Sequence, residues 1–292
     1  MNDYLVRGMS MDGFVKVVGI RSTELVRKGA EIQKTTPNAT AAFGRALTAA
    51  SMMGNMQKVE NGSMTMQIRG GGPIGTITVV SDAVGNVRGC VSEANVPLVE
   101  KYPGKLEVGA TVGTDGTLTV IRDLQMKEPY VGSTELVSGE IGDDVTAYFV
   151  QSEQIPTACA LGVLVDRDQT VKVAGGYILQ LLPGAPDETI DALEKGIQQA
   201  GAVTPMLEQG MTPEEILGQV MGELGVLFME TTPVSYKCYC SRNRVEQALI
   251  SLGRKELNEI AQEGKDFPVE CQFCDAVYHF TPQDVKDLLK RI

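Results

Sequence analysis

Two close cysteine pairs, "KCYC" at 237–240 and "CQFC" at 271–274, are separated by thirty residues in a chain that uses only six cysteines. Both pairs fall within the last sixty residues, Pro233 to Ile292. A segment of that size buries too little apolar surface to fold unaided, and small domains of this kind rely on a staple. The C-x-C…C-x2-C pattern has the general form of a thiolate zinc site, in which two short segments each present two sulfurs to one tetrahedral ion. Cys238, Cys240, Cys271 and Cys274 are therefore the expected ligands of a Zn²⁺ ion. Four thiolates leave such a centre with net negative charge, which Lys237, Arg242 and Arg244 stand close enough in sequence to offset. A disulfide framework is disfavoured because no export signal accompanies the cysteines. A thioredoxin-like site at "CQFC" lacks the βαβ setting that such chemistry uses. Thiolates in a metal site remain oxidisable, and each close pair gives a cysteine its resolving partner, so a structural cage and a reactive switch both stay open.

The rest of the chain divides into a sheet-rich part and a helical part. Residues 1–182 contain runs such as "GFVKVVGI" (13–20), "MTMQIR" (64–69), "IGTITVVS" (74–81), "NVRGCVS" (86–92), "GTLTVIRD" (116–123) and "VKVAGGYILQLL" (171–182), with "NG", "GGGP", "GN" and "DG" turns between them. Helices are expected after Ser22, over 38–57 and over 142–154. Hairpin strands with interspersed helices predict an α+β domain with a mostly antiparallel sheet. Residues 183–232 read as an amphipathic helical linker carrying nine acids and a single base, Lys195. Ile190, Leu193 and Ile197 share one apolar face, and Ile216, Leu217, Val220, Met221 and Leu224 another. Thr212 and Pro213 mark a helix start. Residues 233–292 read as a small C-terminal domain with helices near 241–252 and 254–263, a strand near 276–280 and a last helix after Pro282.

Charge and composition exclude several functions. The formal net charge of -11 is concentrated in the linker, and nothing resembles the basic face that nucleic acid requires. No run approaches the roughly 20 apolar residues that cross a bilayer, and the first residues read as a strand, so a soluble cytoplasmic protein without a membrane partner is expected. "RGGGPIG" (69–75) lacks the G-x4-G-K-[ST] phosphate loop and reads as a hairpin turn. His279 is the only histidine. It reads as a partly exposed strand residue, which makes a Ser-His-Asp or Cys-His hydrolase improbable. Cys90 and Cys159 read as small core hydrophobes, as do Met52, Met53, Met56, Met64 and Met66.

With its "CYC" and "CQFC" tail, and with "GRALTAASMMG" (44–54), "QIRGGGPIGTITVVSDAVGNVRG" (67–89) and "YPGKLEVGATVGTDGTLTVIRD" (102–123), the chain resembles the heat-shock protein 33 family of redox-regulated chaperones from end to end. The resemblance implies a non-enzymatic, ATP-independent holdase for unfolding client proteins, inactive while Zn²⁺ is bound. It implies that oxidants join Cys271 to Cys274 and then Cys238 to Cys240, that zinc is released, and that the active form is a homodimer. Client binding is then expected on the linker's apolar face: Ile190, Leu193, Ile197, Ile216, Leu217, Val220, Met221 and Leu224. Two rival readings remain, a thiol–disulfide oxidoreductase using Cys271 and Cys274, and a zinc-stabilised adaptor.

Overall fold

The structure, a computed structural model, describes residues 2–57 and 59–292. It divides into two compact units, Met1–Lys237 and Cys238–Ile292. In the first, the chain runs β1 (Tyr4–Ser10), β2 (Val15–Arg21), α1 (Thr23–Gln33), α2 (Pro37–Asn55), β3 (Ser63–Arg69), β4 (Thr76–Asp82) and β5 (Val87–Val91). There follow a small hairpin β6 (Glu100–Tyr102) and β7 (Lys105–Leu106), α3 (Val108–Val112), β8 (Thr117–Asp123), β9 (Tyr130–Glu135) and α4 (Gly142–Gln151). The unit closes with β10 (Thr157–Val165), β11 (Val171–Leu181), α5 (Asp187–Ala200), α6 (Val203–Glu208), α7 (Pro213–Met221) and β12 (Val226–Pro233).

Two five-stranded sheets result, in the orders β10-β11-β2-β1-β12 and β5-β4-β3-β8-β9. Every neighbouring pair within them is antiparallel. Helix α2 packs against strands of both sheets, and 17 of its 19 residues are buried, which makes it the centre of the core and not a surface helix. Its sequence explains this: alanine, glycine and serine let both sheets approach its backbone. A Cβ on Gly44 would stand 2.6 Å from a Val26 methyl, and one on Gly54 would strike the Ser81 side chain. Met52, Met53, Met64 and Met66 fill this core as expected, beside Phe43, Ile77 and Val120. The "GGGP" stretch is a connection between β3 and β4, laid on the end of α3. Gly72 N–H donates to the Val112 carbonyl at 2.9 Å, and Gly113, at φ +79°, lies so near the Gly70 carbonyl that no side chain fits.

The apolar faces of α5, α6 and α7 lie on the outer face of the first sheet. Leu193, Val203, Met206, Leu207, Ile216, Leu217, Val220 and Met221 form one buried cluster with Val6, Val15, Val17, Tyr177 and Leu179 from the strands. Thr212 caps α7 as its sequence indicates: its side chain accepts from Glu215 N–H, and the Glu215 carboxylate accepts from Thr212 N–H at 2.8 Å. Polar ties add to the apolar contact. Tyr4 donates to Glu214 at 2.8 Å, Thr189 to Asp12 at 2.6 Å, and Lys172 pairs with Glu208 at 2.6 Å. One element departs from the helical reading of 183–232. Residues 226–233 are β12, which pairs with β1 along the sheet edge while most of its side chains stay exposed. The next residues are stitched to β5, since Val87 N–H donates to the Ser235 carbonyl at 3.1 Å and Lys237 N–H to the Val87 carbonyl at 2.8 Å.

The second unit contains α8 (Arg242–Ser251), α9 (Arg254–Glu263), the hairpin β13 (Phe267–Glu270) and β14 (Val277–Phe280), and α10 (Pro282–Leu289). Its buried core is Leu249, Leu257, Phe280, Val285 and Leu288, with the Phe267 and Phe280 rings stacked at 5.8 Å. Five buried apolar side chains are few for a folded unit of this size, in line with the need for a staple.

Candidate metal and redox centre

The hairpin β13–β14 turns through "CQFC". Cys271 N–H donates to the Ala276 carbonyl at 2.9 Å, and the Cys271 carbonyl accepts from Cys274 N–H at 3.3 Å and Asp275 N–H at 3.0 Å. Asp275 takes a left-handed conformation at φ +56°, which reverses the chain and turns both thiols to one side. The other pair precedes α8, whose N-cap Ser241 accepts from Arg244 N–H at 3.3 Å. The arrangement gathers all four sulfurs, Cys238, Cys240, Cys271 and Cys274, within 4.8 Å of one another. Cys238 Sγ lies 3.7 Å from Cys271 Sγ, and Cys240 Sγ lies 3.3 Å from Cys274 Sγ. Tetrahedral bonds of about 2.3 Å to zinc would separate sulfurs by about 3.8 Å, so the donor set fits the ion that its chemistry favours. All six cysteines are free thiols in this structure.

The thiols are not equivalent. Burial works to raise Cys240, yet the Tyr278 hydroxyl, which donates to its sulfur at 3.1 Å, together with neighbouring thiols holds it below the ordinary range. Burial pushes Cys238 up, and burial and its sulfur neighbours push Cys274 up. Tyr278 in turn is pushed up to about 12, chiefly by its bond to Cys240. Nothing in the sequence marks Tyr278, four residues after a cysteine pair, as a sulfur's partner. Arg242, expected to offset thiolate charge, is engaged elsewhere. Its guanidinium donates to the His279 carbonyl at 2.8 Å, pairs with Asp284 at 3.1 Å and covers the Phe280 ring at 4.4 Å. It locks α8 to β14 and α10. His279 is exposed on β14 and outside the sulfur cluster. Cys159 is packed beside the core, where burial drives its thiol far up, and Cys90 is half-buried in β5.

The expected client face is covered. Leu193, Ile216, Leu217, Val220 and Met221 are buried in the cluster on the first sheet, and Ile197 and Leu224 pack against it; Ile190 is half-buried on α5. No helix among the described residues is long and apolar enough to cross a membrane.

A family model described as Hsp33 protein matches residues 3–281. The chain belongs to the Hsp33 family. Curated relatives named "33 kDa chaperonin" agree over the full length. The one from Lachnoclostridium phytofermentans is 45% identical, covering 100% of this chain and 99% of its own, and the one from Alkaliphilus oremlandii is 46% identical, covering 100% and 98%. The crystal structure of the 33 kDa chaperonin from Thermotoga maritima, titled a heat shock protein 33 homologue, superposes with a TM-score of 0.89 at 35% identity, covering 100% of this chain and 99% of that one. The Hsp33 fold thus accounts for the α+β architecture, and the four cysteines clustered at its C-terminal end could hold a metal ion.

Proposed function

We propose that this Hsp33-family protein is an ATP-independent holdase chaperone whose activity is set by the redox state of its four-cysteine site. The observation that carries the reading is the convergence of Cys238, Cys240, Cys271 and Cys274 within 4.8 Å in a unit with five buried apolar side chains. In the reduced protein these four thiolates hold Zn²⁺, which supplies folding free energy to residues 238–292. Peroxide accepts the electrons of the switch. One thiolate of a close pair attacks it, giving a sulfenic acid and hydroxide; the partner thiolate then displaces hydroxide to form the S–S bond. Oxidation of Cys271 with Cys274 removes two of the four ligands, and oxidation of Cys238 with Cys240 removes the rest. The second unit then loses its staple and unfolds.

Client binding follows from what the loosened chain uncovers. The underside of 183–232, with Ile190, Leu193, Ile197, Ile216, Leu217, Val220, Met221 and Leu224, is the proposed client surface, on a core of residues 1–182 and controlled by the switch at 233–292. Short helices held by a single apolar face and a few polar ties, outside the main core around α2, are the elements proposed to open first under mild heat. The active form is proposed to be a cytoplasmic homodimer, and no catalytic turnover is assigned. The "CQFC" pair sits in a hairpin turn and not at a helix N-terminus, a setting unlike that of a turnover dithiol. Zinc release, free thiols and suppression of client aggregation, followed together during peroxide treatment, test the proposal. All three are expected to change in step; zinc release without a rise in aggregation suppression would overturn it.

A further inference from the structure

The chain leaves the first unit through a strap, residues 233–237, that touches an edge of each five-stranded sheet. Strand β12 is the edge of the first sheet, and its last residue, Pro233, stands opposite Tyr4 of β1. Val234 N–H donates to the Asp3 carbonyl at 3.2 Å, and the Val234 side chain is buried in the main core. Ser235 crosses to the second sheet, where its N–H and its hydroxyl both donate to Asn86 Oδ1, at 3.1 and 3.0 Å. Tyr236 then pairs with Val87 in a parallel bridge along the edge strand β5. Its side chain adds to that backbone contact. The Tyr236 hydroxyl donates to the Gly89 carbonyl at 2.9 Å and accepts from Gly89 N–H at 3.2 Å, so one group satisfies both outward polar groups of an edge residue. The ring packs against the main core, in a slot that α1 leaves open: a Cβ on Gly29 would stand 3.2 Å from it.

We propose that Tyr236 is the latch at which unfolding of the metal-free second unit stops, so that β12 and the connector helices stay docked until this residue leaves its slot. The inference rests on the reading that metal loss unfolds 238–292, and it names the barrier between that event and exposure of the proposed client surface. Every partner of the strap described above lies within Met1–Lys237, so loss of the metal removes none of them. Local opening spreads by successive loss of contacts. Moving back from Cys238, it meets the bond from Lys237 N–H to the Val87 carbonyl, then Tyr236 with its two hydroxyl bonds and apolar ring, and then Ser235 and the buried Val234. Behind the strap the hold is weaker. Most side chains of β12 are exposed, and among the described strands it pairs with β1 alone. Helix α7 packs on both β1 and β12, so release of β12 takes away part of its seat. Exposure of the connector then requires two separate events, loss of the metal and loss of the latch.

Amide hydrogen exchange on reduced full-length protein, before and after treatment with a strong chelator, tests the inference. Once the metal is stripped, 238–292 is expected to exchange as an unfolded chain while 226–237 keeps its protection. Tyr236→Phe removes the two hydroxyl bonds and keeps the ring; in the stripped protein it is expected to speed exchange over 226–237 roughly tenfold. Tyr236→Ala also empties the slot and is expected to speed it roughly a hundredfold. Strands β3 and β4 are expected to stay protected in both variants, which a general loss of core stability would not allow. Loss of protection over 226–237 in the stripped wild type overturns the inference, and so does unchanged protection there in Tyr236→Phe. If Tyr236→Ala does not fold, Tyr236→Phe still decides. Continued protection of 238–292 after stripping overturns both this inference and the staple beneath it, so the segment that responds tells the two failures apart.

Discussion

At the scale of single residues, two polar side chains have strengths that no pattern announces. The Tyr278 hydroxyl on Cys240 Sγ favours the thiolate that a metal needs. Tyr278→Phe removes that donor and leaves the ring, and metal release to a chelating dye is expected to become several-fold faster at fixed pH, with the fold of residues 1–237 unchanged. Asp3 is the second case. It is 4% exposed, its Oδ2 accepts from Leu25 N–H at 2.6 Å, and its Oδ1 has no partner among the described residues. Burial raises its carboxyl from 3.8 to about 6, against the pull of backbone N–H groups at the start of α1. The folded protein thus keeps a proton that the unfolded chain has already lost. The stability contributed by protonated Asp3 is complete below about pH 4 and is lost as pH rises through about 6, a change on the order of 3 kcal/mol at most. Urea unfolding at a series of pH values is expected to show that slope in the wild type and a flatter one in Asp3→Asn.

At the scale of elements, the outcome for residues 183–232 shows what a sequence can and cannot reveal. The α7 start was legible because Thr212, Pro213 and Glu215 act on each other within one turn. Helix α2 was legible through its run of helix formers, and the two cysteine segments through their spacing. Strand β12 was not: its partner β1 lies more than two hundred residues away in sequence, and an exposed edge strand has no alternating apolar signal. The apolar face of α5 and α7 was visible as a stripe, but its cover, the outer face of β1, β2 and β11, was set by sheet topology alone. Thr212→Ala breaks the cap and is expected to cost about 1 kcal/mol. In the proposed mechanism that loss falls on the connector first, so hydrogen exchange over 213–221 should quicken while β3 and β4 stay protected, and less peroxide should be needed for holdase activity.

At the scale of the whole molecule, stability is unevenly shared between the two units. The first has an extensive core around α2, and the second has five buried apolar residues and four thiols. Stripping the metal from reduced protein with a strong chelator is accordingly expected to unfold 238–292 alone. Limited proteolysis should then cut after Lys237 and leave a resistant fragment of the first unit; equal sensitivity of both units would contradict this division of stability.

The stitch of Ser235 and Lys237 onto β5 fixes the point from which such an unfolded segment departs. Fifty-five residues, 238–292, would then move as a polymer tethered at one end to a rigid surface. An unfolded chain of that length has a radius of gyration of about 22 Å, so its thiols remain near their anchor at an effective concentration on the order of millimolar. In the proposed mechanism, gathering the reduced thiols is therefore a unimolecular search whose rate is independent of protein concentration, and the released Zn²⁺ is the one part of the site that must be captured again from solution.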